Sequence, residues 1–273
     1  MSPWHRWIFG GLTTGLVLAM LFPLYWMAVS SITPEASLFE TRSLLPRSAV
    51  AEHYRVLFDE RSFLVPIRNS LIVAGGTTLL AVPFGAVAAY ALARLRFRGK
   101  SILLAVVLAV SMFPQISLVS PLFMLLRALH LINTFPGLVL PYLTFAMPLS
   151  IWLLVGYFRQ LPAELEEAAM LDGASRIRTL GTIVAPLAAP GLATTAILTF
   201  LYSWNEFLFA LSFTLGPERY TVPVAIALFR GQYQVPWGQI LAAAVVATAP
   251  AIVVVLAFQR RIVHGMTTGA VKG

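Results

Sequence analysis

Charged residues divide the chain into long apolar runs. Six runs contain no Asp, Glu, Lys or Arg, and they cover residues 7–34, 69–93, 101–126, 131–158, 179–205 and 231–259. Each run is longer than the roughly 20 residues that a helix needs to cross a bilayer. The pattern therefore predicts an all-α polytopic membrane protein with six transmembrane helices. We expect the fifth helix to continue past Glu206 to about Leu215.

The composition supports a membrane protein. Hydrophobic residues make up 59% of the chain and charged residues only 11%, against roughly 25% charged residues in soluble domains. The first run could also be a secretory signal, because Arg6 precedes it and residues 28–30 resemble a cleavage site. Since the apolar core of a signal spans about 7–15 residues, a first transmembrane helix is the preferred interpretation and cleavage is the alternative. The sequence contains no cysteine, which excludes disulfide and thiol chemistry.

The basic residues predict the orientation in the membrane. Arg94, Arg96, Arg98 and Lys100 lie in a short segment that contains no acid. The positive-inside rule places such a loop in the cytoplasm. With an even number of spans, both termini and the segment 159–186 are then cytoplasmic as well. The net charge of +8 is therefore explained by membrane topology better than by nucleic-acid binding.

The segment between the fourth and fifth runs has the pattern of a helix-turn-helix elbow. Residues 164–171 contain no Gly or Pro and follow Pro162, which predicts a short helix with acids near its N-terminus. Asp172 and Gly173 end this helix, because glycine permits the left-handed turn that reverses a chain. Residues 174–184 can then form a second helix.

Small side chains make this elbow a candidate contact for another protein. Ala168 and Ala169 would leave one face without bulk, so that a partner's surface could approach closely. The alternative is an ordinary alanine-rich helical hairpin.

Prolines and polar residues in the third and fourth runs predict that these helices face an interior. Prolines free backbone carbonyls, which a membrane tolerates only where protein or a water-filled cavity receives them. Four polar residues could contribute hydrogen bonds to a polar passage, namely Gln115, Asn133, Tyr142 and Thr144. Packing between helices is the alternative for each of them.

Glu206 is an acid well inside an apolar segment, within Ser203-Trp204-Asn205-Glu206-Phe207. An ionised carboxylate in a bilayer costs roughly 2.5–3.5 kcal/mol on insertion scales, so it should face a pore, a partner or a counter-charge. We expect Glu206 or Asn205 to border a path through the membrane or its external gate. A structural hydrogen bond near the outer interface is the alternative.

Two external segments could meet other molecules. Residues 35–68 mix apolar and charged side chains and predict a short amphipathic piece at the interface, which either caps the helices or docks an external partner. Residues 216–236 form a loop that is rich in proline and aromatic residues.

The sequence lacks recognisable catalytic, metal and nucleotide sites. Gly99-Lys100-Ser101 resembles the end of a phosphate-binding loop, but Arg94 stands where that loop needs its first glycine. HExxH, GxSxG with partners and paired acids are absent, and the four histidines lie at termini or in loops. We therefore expect no catalytic residue, no metal and no bound cofactor. A self-sufficient secondary transporter has thin support, because such proteins usually carry repeated halves and several midplane ionisable groups.

A second pattern in the elbow identifies a family. It consists of Glu167, Ala168, Ala169, Gly173, Ile183 and Pro186. This pattern resembles the cytoplasmic signature loop of membrane subunits of binding-protein-dependent ABC importers, which forms a coupling helix in a cleft of the ATPase subunit. Leu180 and Ala185 depart from the usual Phe and Leu but keep both positions apolar.

The C-terminus carries a further resemblance. Residues 259–273 are similar to the end of the smaller membrane subunit of maltose- and trehalose-type sugar importers, where the tail can reach between the ATPase subunits. The resemblance implies that Gln259, Arg260, Arg261, Thr268 and Lys272 contact the ATPase. A soluble tail without a binding role is the alternative.

These resemblances imply a type I ABC importer permease fold with a helix and external segment in residues 1–68 and a five-helix core in residues 69–273. The core would include the coupling loop 159–186 and the tail 260–273. The implied coupling residues are Glu167, Ala168, Ala169, Asp172 and Gly173, and the candidate residues of the translocation path or gate are Gln115, Tyr142, Trp204, Asn205 and Glu206.

The implied role is half of a pore in a prokaryotic inner membrane that passes a di- or oligosaccharide inward by alternating access. Its partners would be a larger homologous membrane subunit, two ATPase subunits that use ATP and Mg²⁺, and an external solute-binding protein. A permease for another sugar or a polyol is the alternative.

Overall fold

The computed structural model describes residues 3–39, 48–229 and 235–270; of Pro3, Arg6 and residues 258–270 it describes the backbone only. The secondary structure of these residues is helical, and they form no strand. In chain order the α-helices are α1 (Pro3–Ser31), α2 (Glu52–Arg55), α3 (Leu64–Arg94), α4 (Lys100–Ser111), α5 (Gln115–Ala128), α6 (Pro136–Gln160), α7 (Glu164–Leu171), α8 (Arg176–Thr179), α9 (Ala185–Leu187), α10 (Ala189–Trp204), α11 (Leu208–Phe213), α12 (Val222–Ala227) and α13 (Trp237–Ala270). A 3₁₀ turn covers Glu35–Ser37, and π-helical turns cover Val56–Glu60 and Leu180–Val184.

Four helices of the described chain are long and apolar enough to cross a membrane singly: α1 over Trp7–Ser31, α3, α6 and α13 over Trp237–Ala257. Two bent pairs of helices could each form one further span. The first is α4 with α5, bent by 91°, and the second is residues 176–187 with α10, bent by 84°. The polytopic all-α prediction is confirmed, and the count reaches the predicted six when each bent pair is taken as one span.

The bends correct two predictions about helix continuity. Residues 101–126 were expected to form one helix, but α4 ends at Ser111 and α5 begins at Gln115. Pro114 lies at the break in an extended conformation with ψ of 120°. Proline disfavours helical geometry in the residue before it and cannot donate a backbone hydrogen bond, so α4 ends ahead of it. The expected continuation of the fifth helix to Leu215 is also wrong, since α10 ends at Trp204.

The described chain divides into two compact units, one of residues 1–64 and 225–250 and one of residues 65–224 and 251–273. The predicted boundary between residues 68 and 69 remains a prediction. It separates two functional roles, whereas these two units are distinguished by how the chain packs.

In the first unit, the segment that was predicted to be external is packed by hydrogen bonds. The carboxylate of Glu35 accepts the backbone N–H groups of Trp237 and Gly238, both at 2.9 Å, at the N-terminus of α13. The buried His53 ring places Nε2 2.9 Å from the carbonyl oxygen of Thr33. These contacts favour the capping role for this segment.

In the second unit, α6 is the central helix. Of its most apolar stretch 61% is buried within the chain, compared with 33% in α3. Close packing accompanies this burial: a Cβ added at Gly85 would lie 2.9 Å from Cβ of Ser150. Small residues permit such approaches between membrane helices. The prediction that the proline-rich helices face an interior therefore holds for α6.

For α4 and α5 the same prediction stays a prediction, because side chains such as Leu104 in α4 and Phe123 in α5 are only partly buried against the core of this chain. No described residue of α4 is buried, and Leu126 is the buried residue of α5. These helices present apolar side chains at the surface of the chain, and Met112 between them is 83% exposed.

Candidate functional site

The elbow is present as predicted, and α7 has the predicted bounds. Gly173 has a φ of +82°, which is the left-handed conformation that favours glycine. The N–H of Ala174 donates to the carbonyl of Ala169 at 2.9 Å, and the N–H of Gly173 donates to that of Met170 at 3.1 Å. These two bonds form a Schellman motif, which satisfies carbonyls at the end of α7.

The second arm of the elbow begins at once. Oγ of Ser175 accepts the N–H of Arg178 at 3.3 Å and so caps α8. Helical structure then continues through the π-helical turn Leu180–Val184 into α9. The predicted helix-turn-helix is therefore confirmed.

The outer surface of the elbow combines polar and apolar side chains. Glu167, Ala168 and Asp172 are all exposed. Leu171 is 89% exposed and Ile177 is 80% exposed. Large apolar side chains at this exposure beside a tight turn make the surface a candidate contact for another protein.

Ala169 does not belong to this outer surface. Its exposure is 8%, because the face of α7 that carries Glu166 and Ala169, three residues apart, packs inward. The prediction of an exposed alanine face is correct for Ala168 and wrong for Ala169.

Glu166 forms a buried polar cluster that the sequence analysis did not identify. Its carboxylate accepts Nε of Arg94 at 2.6 Å and the hydroxyl of Tyr90 at 3.0 Å. Nη2 of Arg94 also donates to the carbonyl of Leu161 at 2.7 Å. The side chains of Arg94 and Glu166 are only 14% and 6% exposed, so this is a buried ion pair.

The sequence marked only the set of acids from which this cluster draws its carboxylate. Glu164, Glu166 and Glu167 stand in the first turn of α7, and a helix cannot expose every side of one turn equally. Of the three, Glu166 shares a face with Ala169 and turns inward in the structure, but the spacing alone does not single it out, because its burial depends on its partner Arg94.

The second candidate site is the break between α10 and α11. Glu206 is 6% exposed, and its carboxylate oxygens accept the backbone N–H groups of Phe209 at 2.9 Å and Ala210 at 3.1 Å. The first N–H groups of a helix have no partner inside the helix and favour negative charge. Glu206 therefore caps α11, which agrees with the structural hydrogen bond considered as the alternative.

Glu206 also lines a cavity of about 550 Å³, whose walls are formed by Gln115, Leu201, Tyr202, Asn205, Glu206, Phe207 and Leu208. Nε2 of Gln115 donates to the hydroxyl of Tyr202 at 2.5 Å. Asn205 is exposed, and its Nδ2 donates to the carbonyl of Leu201 at 2.8 Å. Three of the predicted path residues, Gln115, Asn205 and Glu206, thus lie around one cavity.

The other two candidate path residues do not line this cavity. Tyr142 is fully buried in an apolar cluster with Phe145 and Phe209. Trp204 is 3% exposed and stacks on Phe200, with 5.8 Å between the ring centroids.

A hydrogen-bonded loop lies near the break. Asn133, at a φ of +60°, accepts the N–H of Leu215 through Oδ1 and donates from Nδ2 to a carboxylate oxygen of Glu218 at 2.8 Å. This side-chain hydrogen bond is the main reason why the pKa of the exposed Glu218 carboxyl lies below its usual range. Asn133 therefore organises the loop rather than a passage, and Thr144 bonds the carbonyl of Pro141 in its own helix.

The predicted tail contacts fall on residues of which no side chain is described. The backbone of α13 remains helical to Ala270, so the helix extends through most of the segment expected to be a tail. The side chains of Gln259, Arg260, Arg261 and Thr268, and the whole of Lys272, lie outside the described residues. In the described part of the chain, no group of three His, Asp or Glu side chains could hold a metal ion.

Residues 81–268 match the family described as the binding-protein-dependent transport system inner membrane component. The chain belongs to this family. The elbow, the bent spans and the cavity at residue 206 all lie within the matched region. The family assignment establishes a multi-pass inner membrane protein and confirms the resemblance that the signature loop carries.

Two relatives and one solved structure match nearly the whole chain. The trehalose/maltose transport system permease protein MalG of Thermococcus litoralis is 45% identical over 94% of this chain and 94% of its own length. The trehalose transport system permease protein SugB of Mycobacterium tuberculosis is 47% identical over 96% of each chain. A bacterial ABC transporter involved in the import of alginate superimposes with a TM-score of 0.77 and 25% identity, covering 95% of this chain and 98% of its own.

Proposed function

We propose that this chain is one half of the translocation pore of an ATP-driven importer, and that it passes a di- or oligosaccharide of the maltose or trehalose type into the cytoplasm by alternating access. The elbow carries the proposal, because its signature residues stand on an exposed helix-turn-helix. The identity of 45% and 47% to permeases named for trehalose/maltose and trehalose transport supports the sugar class.

The outer surface of the elbow is the proposed contact with an ATPase subunit. Glu167, Ala168, Asp172 and Gly173 present a polar, small-residue surface, and Leu171 adds an apolar side chain that is 89% exposed. Ala169 is buried on the opposite, inner face of α7, and its packing holds the helix in place.

The remaining subunits follow from the family. A second membrane subunit completes the pore, two ATPase subunits bind ATP and Mg²⁺, and an external solute-binding protein delivers the sugar. This chain binds no cofactor and performs no catalysis, and the tail residues 259–272 extend towards the ATPase subunits.

The proposed orientation places both termini, the basic segment 94–100 and the elbow in the cytoplasm. Because the chain contains no cysteine, a single introduced cysteine reports its own accessibility. Arg98 is a better position than Gly99, since Gly99 has a φ of +87° that a side chain would strain. We expect Arg98→Cys to be protected from an impermeant thiol reagent in intact cells, and Leu215→Cys to be labelled. The reverse pattern would contradict the orientation.

The proposed sugar path passes the cavity at the α10–α11 break. Its volume of about 550 Å³ falls within the roughly 300–1,000 Å³ that is common for small-molecule sites. Sugar hydroxyls both donate and accept hydrogen bonds, so the side chains of Gln115, Asn205 and Glu206 suit them chemically. Tyr142 and Trp204 remain candidate path residues outside the wall of this cavity.

The test is reconstitution of the complete importer. This chain is purified with its second membrane subunit and ATPase subunits, placed in liposomes with its solute-binding protein, and assayed for uptake of labelled trehalose and maltose. We expect uptake that requires ATP and the binding protein. Uptake without the ATPase subunits would favour a secondary transporter. ATP-driven uptake of another sugar or a polyol, with neither disaccharide competing, would retain the importer and reject the sugar class.

A further inference from the structure

The buried ion pair between Arg94 and Glu166 joins three helices at one point. Arg94 is the last residue of α3, Leu161 directly follows α6, and Glu166 lies in the first turn of α7. The guanidinium of Arg94 donates to both of the other two positions, at 2.6 Å to the Glu166 carboxylate and at 2.7 Å to the Leu161 carbonyl. One side chain therefore connects two spanning helices to the elbow.

This connection links segments that are far apart in the sequence. Arg94 and Glu166 are 72 residues apart, whereas α7 is joined to α6 by the short covalent link 161–163. The pair adds an attachment to α3, and Tyr90, one turn earlier on α3, donates a second hydrogen bond to the same carboxylate.

Burial makes this pair different from an ordinary surface ion pair. The other ion pair in the described part of the chain, Arg55 with Asp59, has side chains that are 74% and 69% exposed and a separation of 3.7 Å. Exposed pairs contribute little, because water screens them and both side chains lose freedom. A largely buried pair instead fixes geometry, since removing one partner leaves an uncompensated charge that water reaches only in part.

The chemistry of arginine suits a junction of this kind. Its planar guanidinium presents several donors in a rigid fork, so it can hold a carboxylate and a carbonyl in one fixed arrangement. Lysine carries the same charge as a compact point on a flexible stem and would not reproduce that arrangement. The cation also lies beside the last carbonyls of α6, where positive charge is favourable.

An apolar cluster extends from the same junction. It contains residues of α3, α6 and the second arm of the elbow, including Leu92, Phe158 and Val184. The apolar contacts of this cluster hold the helices together, and the ion pair fixes the orientation of α7 relative to them.

We propose that Arg94 is a positioning residue for coupling: through Glu166 and Leu161 it makes α3, α6 and α7 move as one body, so that displacement of the elbow is transmitted to the membrane helices. This inference rests on the proposed function in one respect, namely that the elbow contacts an ATPase subunit. The attachment of α7 to α3 is a property of the chain itself and can be measured separately.

The test compares single and double substitutions in the assembled importer. Arg94→Met and Glu166→Met each leave one buried charge unpaired, so we expect poor assembly from both. The double variant Arg94→Met/Glu166→Met removes both charges and leaves only the neutral Tyr90 hydroxyl and Leu161 carbonyl without these partners. Replacing a buried ion pair by apolar side chains is often close to neutral for stability. We expect the double variant to assemble with normal basal ATPase activity but with stimulation by trehalose-loaded binding protein reduced about tenfold, within the range of 5- to 150-fold that coupling between sites commonly spans.

Two conservative variants and a matched control sharpen the result. Arg94→Lys is expected to assemble and to lose part of the stimulation, because it keeps the charge and loses the fork. Tyr90→Phe removes one hydrogen bond and is expected to have a smaller effect in the same direction. Arg98→Gln, at an exposed arginine of the same segment, is expected to retain wild-type stimulation.

Hydrogen exchange separates this inference from the proposed function. In the double variant we expect the amides of α7 to exchange faster than in the wild type, while those of α6 keep their protection. Wild-type stimulation together with wild-type exchange in the double variant would overturn the inference and leave the proposed function intact. A double variant that fails to assemble would assign the pair to folding and also overturn the inference. If the wild-type complex shows no stimulation at all, the proposed function fails, and the exchange experiment alone decides the attachment.

Discussion

Replacement of Gly173 by alanine is expected to weaken coupling through the conformation of one residue. Gly173 has a φ of +82° at the turn of the elbow, and a Cβ built on it would meet no atom within 4 Å. The substitution therefore creates no collision, and its cost is conformational alone. For a residue with a side chain, the left-handed conformation costs about 1–2 kcal/mol.

That cost can be converted into a population. One to two kcal/mol corresponds to a factor of about 5–30 between two states. The elbow of Gly173→Ala would then occupy its Schellman turn less often by about this factor relative to competing geometries. Since the lesion lies in an exposed turn, the subunit should still insert and assemble.

The assay is ATPase stimulation per assembled complex, measured with binding protein and sugar and divided by basal hydrolysis. We expect reduced stimulation for Gly173→Ala and a smaller loss for Gly173→Asn, because asparagine visits the left-handed region more readily. Gly173→Asp, which also adds a charge to the exposed turn, should abolish sugar uptake while insertion is retained.

Two results would refute this reasoning. Wild-type stimulation in Gly173→Ala and Gly173→Asp complexes would mean that the elbow is not the coupling element. Equal losses in the alanine and asparagine variants would show that the left-handed conformation is not the property that matters.

Three further substitutions test the packing around the candidate site by thermal melting of the purified complex. Glu206→Gln replaces one of two accepting oxygens by an NH₂ group, which leaves the N–H of either Phe209 or Ala210 without an acceptor, so we expect a loss of about 1–3 kcal/mol and altered transport. Asn69→Ala removes the amide that donates to two loop carbonyls, at 2.9 and 3.0 Å, and should cost about 1–3 kcal/mol and speed proteolysis of loop 214–222. Gly191→Ala would place a Cβ 2.4 Å from Cγ of Tyr157 and should cost about 1–3 kcal/mol.

Matched controls accompany these substitutions. Gly181→Ala adds a Cβ that meets no atom within 4 Å, so it should melt like the wild type. Asn205→Ala removes a side chain that is exposed and bonds only the carbonyl of Leu201 among its described contacts, so it should not reproduce the stability loss of Asn69→Ala. Unchanged melting and transport in Glu206→Gln would show that neither the cap nor the cavity depends on this carboxylate.

The elbow illustrates what could be predicted from the sequence. Its helix bounds, its turn and its family depend on neighbouring residues, because Pro162, Gly173 and the acids of α7 act through local backbone geometry and hydrogen bonds. Local rules also located the apolar runs, since a membrane span is defined by its own length and composition. The family follows from the same segment, because the signature residues lie within one stretch of chain.

Other features depended on contacts between distant segments. Whether an acid of α7 faces outward or inward was decided by Arg94, and the break at Asn205 placed the Glu206 carboxylate on the first N–H groups of α11. Neither outcome follows from periodicity, because a break in an apolar run leaves its composition unchanged and a buried charge depends on its partner. The sequence by itself determined the membrane class, the elbow and the family, while the tertiary structure decided which polar side chains are buried and paired, because burial of a charge requires a partner that only the folded chain brings within hydrogen-bond distance.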